Sequence, residues 1–430
     1  MPLDSELEYG IRCTARFTEE HGIDHVHHHC LLKFTQGKGG VLEILMDRSW
    51  YNDLGNVSIT AQGATFFAPY LKNMGSARSL DQILNFFSIP ELLESHQQAE
   101  PLKMLVDRAE FEVERLGNYI GHFPLERLNQ GNRQEVLRCS KTDLLQVDLP
   151  AWKAKAWIDV GFSTDQLSNG GFQVQPKYKV ILDFERSMEH DLNRSCIKQL
   201  STFWEFMLHR PIHPGLVIYR SKHHGDIIRH MFRESTVDGS AEVSFQTGLL
   251  QMPWESCQPY LSQLMQQWAA LDHASPWMDN LMRLIHYREL PVDVRFFMAY
   301  TAVQGFAFEM KKMPTLKRRA GKEEDRMWDD FQCYWGHLLF PMAGRAREYT
   351  DRLVRTRHHF AHLSRSGDDI LKDEREFNYA FFRLMVIVKV MFMDASGVPS
   401  INWKKVIETW ALRIQVVEGY TFRNLVLGPM

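Results

Sequence analysis

Up to about residue 250 the apolar residues come in short bursts. Val41–Leu45, Val57–Thr60 and Tyr178–Phe184 are apolar throughout or alternate with polar positions, and turn residues (Gly, Asn, Asp or Pro) bound them. Such runs predict half-buried strands. One helix interrupts them, because Ile197, Leu200, Phe203, Trp204 and Met207 recur at spacings of three and four before His209-Arg210-Pro211 stops the run. Leu216–Tyr219 resumes as a strand, and Lys103–Leu116, charged and amphipathic, reads as a second helix. After Pro253 the period becomes that of long helices. From Val292 to Lys311 apolar residues occupy nearly every face (Val294, Phe296, Phe297, Met298, Tyr300, Val303, Phe306, Phe308), which belongs to a helix at the centre of a bundle. Pro291 suits its first turn and Pro314 lies just past its end. Further helices are predicted near 325–341, 344–365, 373–395 and 401–413.

This change of period divides the 430 residues into a strand-rich domain at 1–255 and a helical domain at 256–430, a two-domain α+β protein. With 44% hydrophobic and 24% charged residues both halves have enough apolar mass for a core. A formal net charge of −3 excludes a globally basic nucleic-acid binder, so contact with RNA has to come from a local patch. Six scattered cysteines without a CxxC pair imply reduced thiols and a cytoplasmic protein. The opening MPLDSELEYG has no apolar core, so no signal peptide is expected. The run Phe381–Met393, broken by Arg383 and Lys389, is too short to cross a bilayer and reads as a buried helix, so no membrane association is expected.

Candidate chemistry lies in Tyr349–Leu363. At about 100° per residue, Tyr349, Leu353, Thr356, Phe360 and Leu363 form one stripe, the core-facing side. Arg355, His358, His359 and His362 fall opposite, with Arg357 at the border. His358 and His362 are one turn apart and can touch the same ligand. Arg357, five residues before His362, lies roughly 140° around the helix. It has to reach around that helix or work with a neighbouring chain. A guanidinium fork holds phosphate and never loses its charge, while imidazole moves protons near neutrality. Together they supply what RNA cleavage by its own 2′-hydroxyl requires, with no metal and no cofactor. Arg-x4-His is nonetheless a short pattern, and Arg and His on an outer helix face are ordinarily only solvated.

Arg357-His358-His359-Phe360-Ala361-His362 resembles the signature of HEPN domains, Arg-x4-to-6-His with a polar residue after the Arg, on a late helix of a bundle. Leu290–Tyr300 is similar to the start of HEPN domains of the ApeA type, and Leu200–Phe206 with Arg210-Pro211-Ile212 resembles the N-terminal domain that accompanies them. The resemblance covers most of the chain, loosely outside the motif. It implies a bacterial anti-phage endoribonuclease acting by abortive infection, with RNA, tRNA among the candidates, as substrate. It also implies pairing of two helical domains, as a homodimer or higher oligomer, with Arg357 of one copy and His362 of the other flanking a common cleft. Carried over by position, Arg357 binds phosphate, His362 is the acid/base and His358 the supporting polar residue. His359 departs from the pattern by adding a second candidate base. The strand-rich domain becomes a sensing or regulatory module that binds a phage-derived trigger.

Other clusters compete for a role. Lys317, Arg318 and Arg319 sit with Lys311, Lys312 and Lys322 in a loop that would track an RNA backbone or simply be solvated, and Arg355 and His359 are further candidates for RNA contact. His25, His27 and His29 would share one face of a strand, with Cys30 beside them, a donor set that suits zinc. No second ligand cluster is visible, so polar strand residues are the preferred reading and no metal is expected. Gln304 and Glu309 on the central helix either face the motif and orient a histidine or are satisfied polar groups at a bundle edge. The rival functions are a non-catalytic helical module that binds nucleic acid or protein, and a dimerisation domain with a metal-holding N-terminal half.

Overall fold

The computed structural model of the protein describes residues 9–231 and 250–418 apart from connecting segments, of which 96–104 and 311–321 are the longest. Two compact units emerge: Met1–Ser201 with Ile212–Glu242, and Thr202–Pro211 with Val243–Met430.

The first unit is strand-rich. Its strands are β1 (Tyr9–Thr18), β2 (Asp24–Thr35), β3 (Gly39–Met46), β4 (Leu54–Ala61), β5 (Ala64–Ser79), β6 (Gln82–Ile89), β7 (Glu91–Ser95), β8 (Leu105–Glu112), β9 (Leu125–Gln130), β10 (Gln134–Cys139), β11 (Leu145–Leu149), β12 (Ala154–Gln166), β13 (Phe172–Glu189), β14 (Leu216–Ser221) and β15 (Gly225–Met231). Apart from the β9–β10 hairpin they form one sheet in the order β11-β12-β13-β8-β14-β15-β7-β5-β4-β1-β2-β3-β6. A further pairing of β5 with β6 closes β5-β4-β1-β2-β3-β6 into a ring. Ala15, Phe17, Leu32, Leu42, Ile44, Val57, Ile59, Phe66, Ala68 and Phe87 are buried in its core. A short helix, α1 (Leu116–Ile120), follows β8.

Where the sequence pattern predicts a helix over Lys103–Leu116, the chain forms β8, paired with both β13 and β14. Its charges belong to cross-strand partners rather than to a solvated helix face. Asp107, buried, accepts hydrogen bonds from Ser187 Oγ (2.7 Å) and Lys222 N (2.8 Å), and Glu110 accepts from Arg220 Nε (2.8 Å) with Arg108 Nε at 3.2 Å. Tertiary partners thus override a local helical pattern.

The second unit is helical. Helix α2 (His190–Leu208) begins in the first unit, and its last turns, from Thr202, belong to the second. There Phe203 and Phe206 pack on Trp268, with ring centroids 6.0 and 5.0 Å apart, and Phe206 also meets Phe392 at 5.2 Å. Then come α3 (Trp254–Cys257), α4 (Leu261–Ala269), α5 (Pro276–His286), α6 (Val292–Met310), α7 (Glu323–Leu339), α8 (Ala343–His362), α9 (Glu374–Ala395) and α10 (Ser400–Glu418). The innermost helix is α9, buried without a break from Tyr379 to Met393, whereas α6 leaves Val294 and Phe308 exposed. Among the described residues no helix is long and apolar enough to cross a membrane.

Two cations lie inside α9, and each has a built partner. Arg383 stacks over Tyr349 at 4.5 Å and Tyr379 at 5.7 Å. Lys389 donates to the Phe206 carbonyl, one of the last of α2, and sits 4.3 Å from the Phe206 ring centroid. Burial lowers the Lys389 ammonium to about 7 and pushes the Cys257 thiol up to about 12. Because the unfolded lysine titrates at about 10.4, the unfolded chain binds more protons between pH 7 and 10, and stability contributed by this site rises with pH across that window. Denaturant unfolding at pH 7 and pH 9 checks this. The gain on going to pH 9 is expected to be smaller in Lys389→Met than in the wild type, and an equal gain in both refutes it.

Candidate active site

Helix α8 carries the motif, and its buried side is held by hydrogen bonds to the start of α9. Thr356, fully buried, donates to Arg352 O (2.8 Å) and accepts from Leu371 N (3.0 Å). Arg352 grips Glu376 through two bonds of 2.9 Å and reaches the Ile370 carbonyl at 2.6 and 3.0 Å. Asp373 caps α9 by accepting from Glu376 N at 2.8 Å. On the α7 side, Arg347 bonds Asp325 (2.7 Å), pairs with Asp351 (3.2 Å) and lies over Trp328 at 5.8 Å.

These anchors frame a carboxylate at the first residue of α7. Glu323 Oε1 accepts from Tyr300 Oη (2.8 Å) and Gln304 Nε2 (2.6 Å), both from α6. The same carboxylate stands 4.0 Å from Arg357 Nε and 3.3 Å from His358 Nε2. Arg357 Nη1 lies 3.4 Å from His358 Nδ1, and the His362 ring stacks on that of His358 with centroids 5.9 Å apart and planes 17° from parallel. Burial, and then the charge and hydrogen bond of Glu323, push the Tyr300 phenol upward, so it stays a donor to the carboxylate.

Roles follow from which nitrogens are engaged. A His358 that turns Nε2–H to Glu323 and Nδ1 to Arg357 has both ring nitrogens engaged, an assignment made from the network. His362 is exposed at the end of α8. Arg357, half-buried, supplies the fixed positive charge. Although Arg357 and His362 are about 140° apart on the helix, both meet His358, so one chain gathers the three into one cluster.

Comparisons with protein-family models, curated proteins and solved structures find no match to this chain.

Arg355 is exposed and donates to Asp351 O (3.3 Å), and the ring of His359, half-buried, meets Phe360 edge-on at 5.6 Å. Lys317, Arg318 and Arg319 lie outside the described residues. In the first unit, β2 does not keep the alternation that would put three imidazoles on one face. Ala15 pairs with His27 but Cys13 with Cys30, so β2 bulges by one residue between them. His25 and His27 stack beside Phe17 (5.4 and 5.5 Å), His29 is exposed, and the buried positions continue at Cys30 and Leu32. Among the described residues no group of three or more His, Cys, Asp or Glu is placed to hold a metal ion.

Glu323 and Tyr300 escaped the sequence reading. Tyr300 looks like one more apolar residue of α6, and its spacing of four from Gln304 was the available signal. Of the two readings open for Glu309, the satisfied polar group holds, since it accepts from Trp277 Nε1 (2.7 Å) and Asp272 N (2.8 Å). Thr356→Val keeps the shape of the buried side chain but strands the Leu371 amide, at a cost of about 1–3 kcal/mol. Denaturant unfolding should read that loss, and an unchanged midpoint would refute the anchoring role.

Proposed function

We propose that this protein is a metal-independent endoribonuclease of the HEPN type, active in bacterial anti-phage defence. The observation that carries the reading is the convergence of Arg357, His358 and His362 on one patch, with Glu323 behind them. In such a reaction the 2′-hydroxyl gives up its proton as O2′ bonds to phosphorus. The P–O5′ bond breaks and O5′ takes a proton. The products are a 2′,3′-cyclic phosphate and a 5′-hydroxyl. His362 is the proton carrier, Arg357 neutralises the crowded phosphoryl oxygens, and His358, braced by Glu323, sets the position of both. Two proton transfers at opposite oxygens suit two copies of His362, so pairing of two chains through their helical units is part of the proposal. RNA is the substrate, with tRNA one candidate, and the strand-rich unit senses a phage-derived trigger in the cytoplasm.

A second reading has one observation in its favour. Glu323 already stands beside Arg357, so the patch also fits a non-catalytic module that binds nucleic acid or protein.

Cleavage of total cellular RNA in EDTA, with product ends analysed for cyclic phosphate, separates the two. His362→Ala and Arg357→Ala should each lose about 10²–10⁴-fold in rate while remaining folded. Glu323→Gln should lose about 10–100-fold in kcat with little change in KM, less than removal of the carboxylate that orients the histidine of a serine-protease triad. Absence of cleavage by the wild type even in infected cells, or equal cleavage by all variants, sinks the enzymatic reading in favour of the binding module.

A further inference from the structure

Cys13 on β1 and Cys30 on β2 stand directly opposite each other in the register of these antiparallel strands, and both are buried in the core of the ring, 5% and 4% exposed. Residues opposed in this way have Cα atoms about 4.5–5.5 Å apart, inside the span of about 4.4–6.8 Å that a disulfide bridges. Their thiols already touch. Cys13 donates a hydrogen bond to Cys30, and Cys30 Sγ lies 3.2 Å from His27 O. The bond between the two thiols pushes Cys13 up and pulls Cys30 below the ordinary thiol value in spite of burial, so Cys30 ionises first. Elsewhere burial alone acts, and it raises Cys196 to about 11 and Cys257 to about 12, which keeps those thiols protonated and unreactive.

Two thiols in an apolar core can serve as small packing residues and nothing more. The surroundings of this pair argue for a further role. The bulge of β2 lies immediately beside it, between the Cys13–Cys30 and Ala15–His27 pairs, and interrupts the ladder there. On its other side β1 pairs with β4 over Thr14–Arg16, so among the described residues the stretch Tyr9–Cys13 is paired with β2 alone. A strand end held from one side and flanked by a bulge opens at lower cost than the rest of its sheet. Such opening uncovers both sulfurs to a small oxidant without unfolding the ring.

We propose that Cys13 and Cys30 are a redox modification site, which a peroxide converts to a reversible disulfide that ties the start of β1 to β2. The Cys30 thiolate attacks one oxygen of hydrogen peroxide. The O–O bond breaks, Cys30 becomes a sulfenic acid, and the departing hydroxide takes up the proton that Cys30 released. The Cys13 sulfur then bonds to Cys30 Sγ, the S–O bond breaks, and the hydroxyl leaves with the Cys13 proton as water. Two thiols lose two electrons, and one peroxide is reduced to two waters. The site is independent of the ribonuclease reading.

Peptide mapping of the full-length protein tests it. The protein is treated with hydrogen peroxide in native buffer, unfolded, alkylated and digested, with the exposed Cys333 as the reference thiol. A peptide linked through Cys13 and Cys30 should form and should disappear on reduction with dithiothreitol, while Cys196 and Cys257 remain open to alkylation. In Cys13→Ser, which lacks the second thiol, Cys30 should go on to the sulfinic acid. Amide exchange over residues 9–13 should slow about tenfold or more in the oxidised wild type, because the bond removes the local opening. Cys13 and Cys30 both still alkylated under peroxide that has consumed Cys333 overturns the site. So does over-oxidation of Cys30 in the wild type without a linked peptide. Linkage with unchanged amide exchange overturns the tie between the strands. These readouts use the wild type and decide the matter even where the variant fails to fold.

Discussion

A carboxylate with little access to water has to be met by donors and positive charge, and Glu323 meets that demand with side chains from two other helices. Tyr300 and Gln304 come from α6, Arg357 and His358 from α8, and Glu323 itself opens α7. The cost of desolvating one carboxylate thus fixes the relative placement of the motif side chains. Without it, Arg357 and His358 would be cations or donors on an outer helix face with the rotamer freedom that such residues normally keep. With it, His358 is held where the His362 ring stacks on it.

The same physics recurs elsewhere in each unit. In the strand-rich unit, Asp107 and Glu110 are buried on β8 and are met by Ser187, the Lys222 amide, Arg108 and Arg220. In the helical unit, Arg383 lies against two tyrosine rings and Lys389 against a carbonyl and the Phe206 ring. Each charge sits where a partner distant in the sequence supplies the compensation. The proposed ribonuclease chemistry draws on this arrangement, because the half-buried carboxylate of Glu323 stands behind His358.

How much was legible in the sequence depends on how local the cause is. The helices after Pro253 could be read because apolar residues repeat at three and four over several turns, and observed bounds such as Val292–Met310 and Glu374–Ala395 fall within a few residues of the pattern. Residues 381–393 were readable as a buried helix despite Arg383 and Lys389, since so long an apolar run has nowhere else to go. The segment at 103–116 was misread because charges at 107, 108 and 110 look alike on a solvated helix and on a strand with ionic neighbours. The imidazoles of β2 could not be placed from alternation alone, because a bulge shifts the face and depends on the partner strand.

By itself the sequence determined the change from strands to helices, the core-facing stripe of α8 and the presence of Arg357, His358 and His362 within six residues, all of which rest on periodicity and side-chain chemistry along one segment. Tertiary structure alone decided that Glu323 and Tyr300 stand behind the motif and that Gln304 rather than Glu309 joins them. Those residues lie far apart in the chain, and only packing of α6, α7 and α8 brings one half-buried carboxylate within reach of its donors.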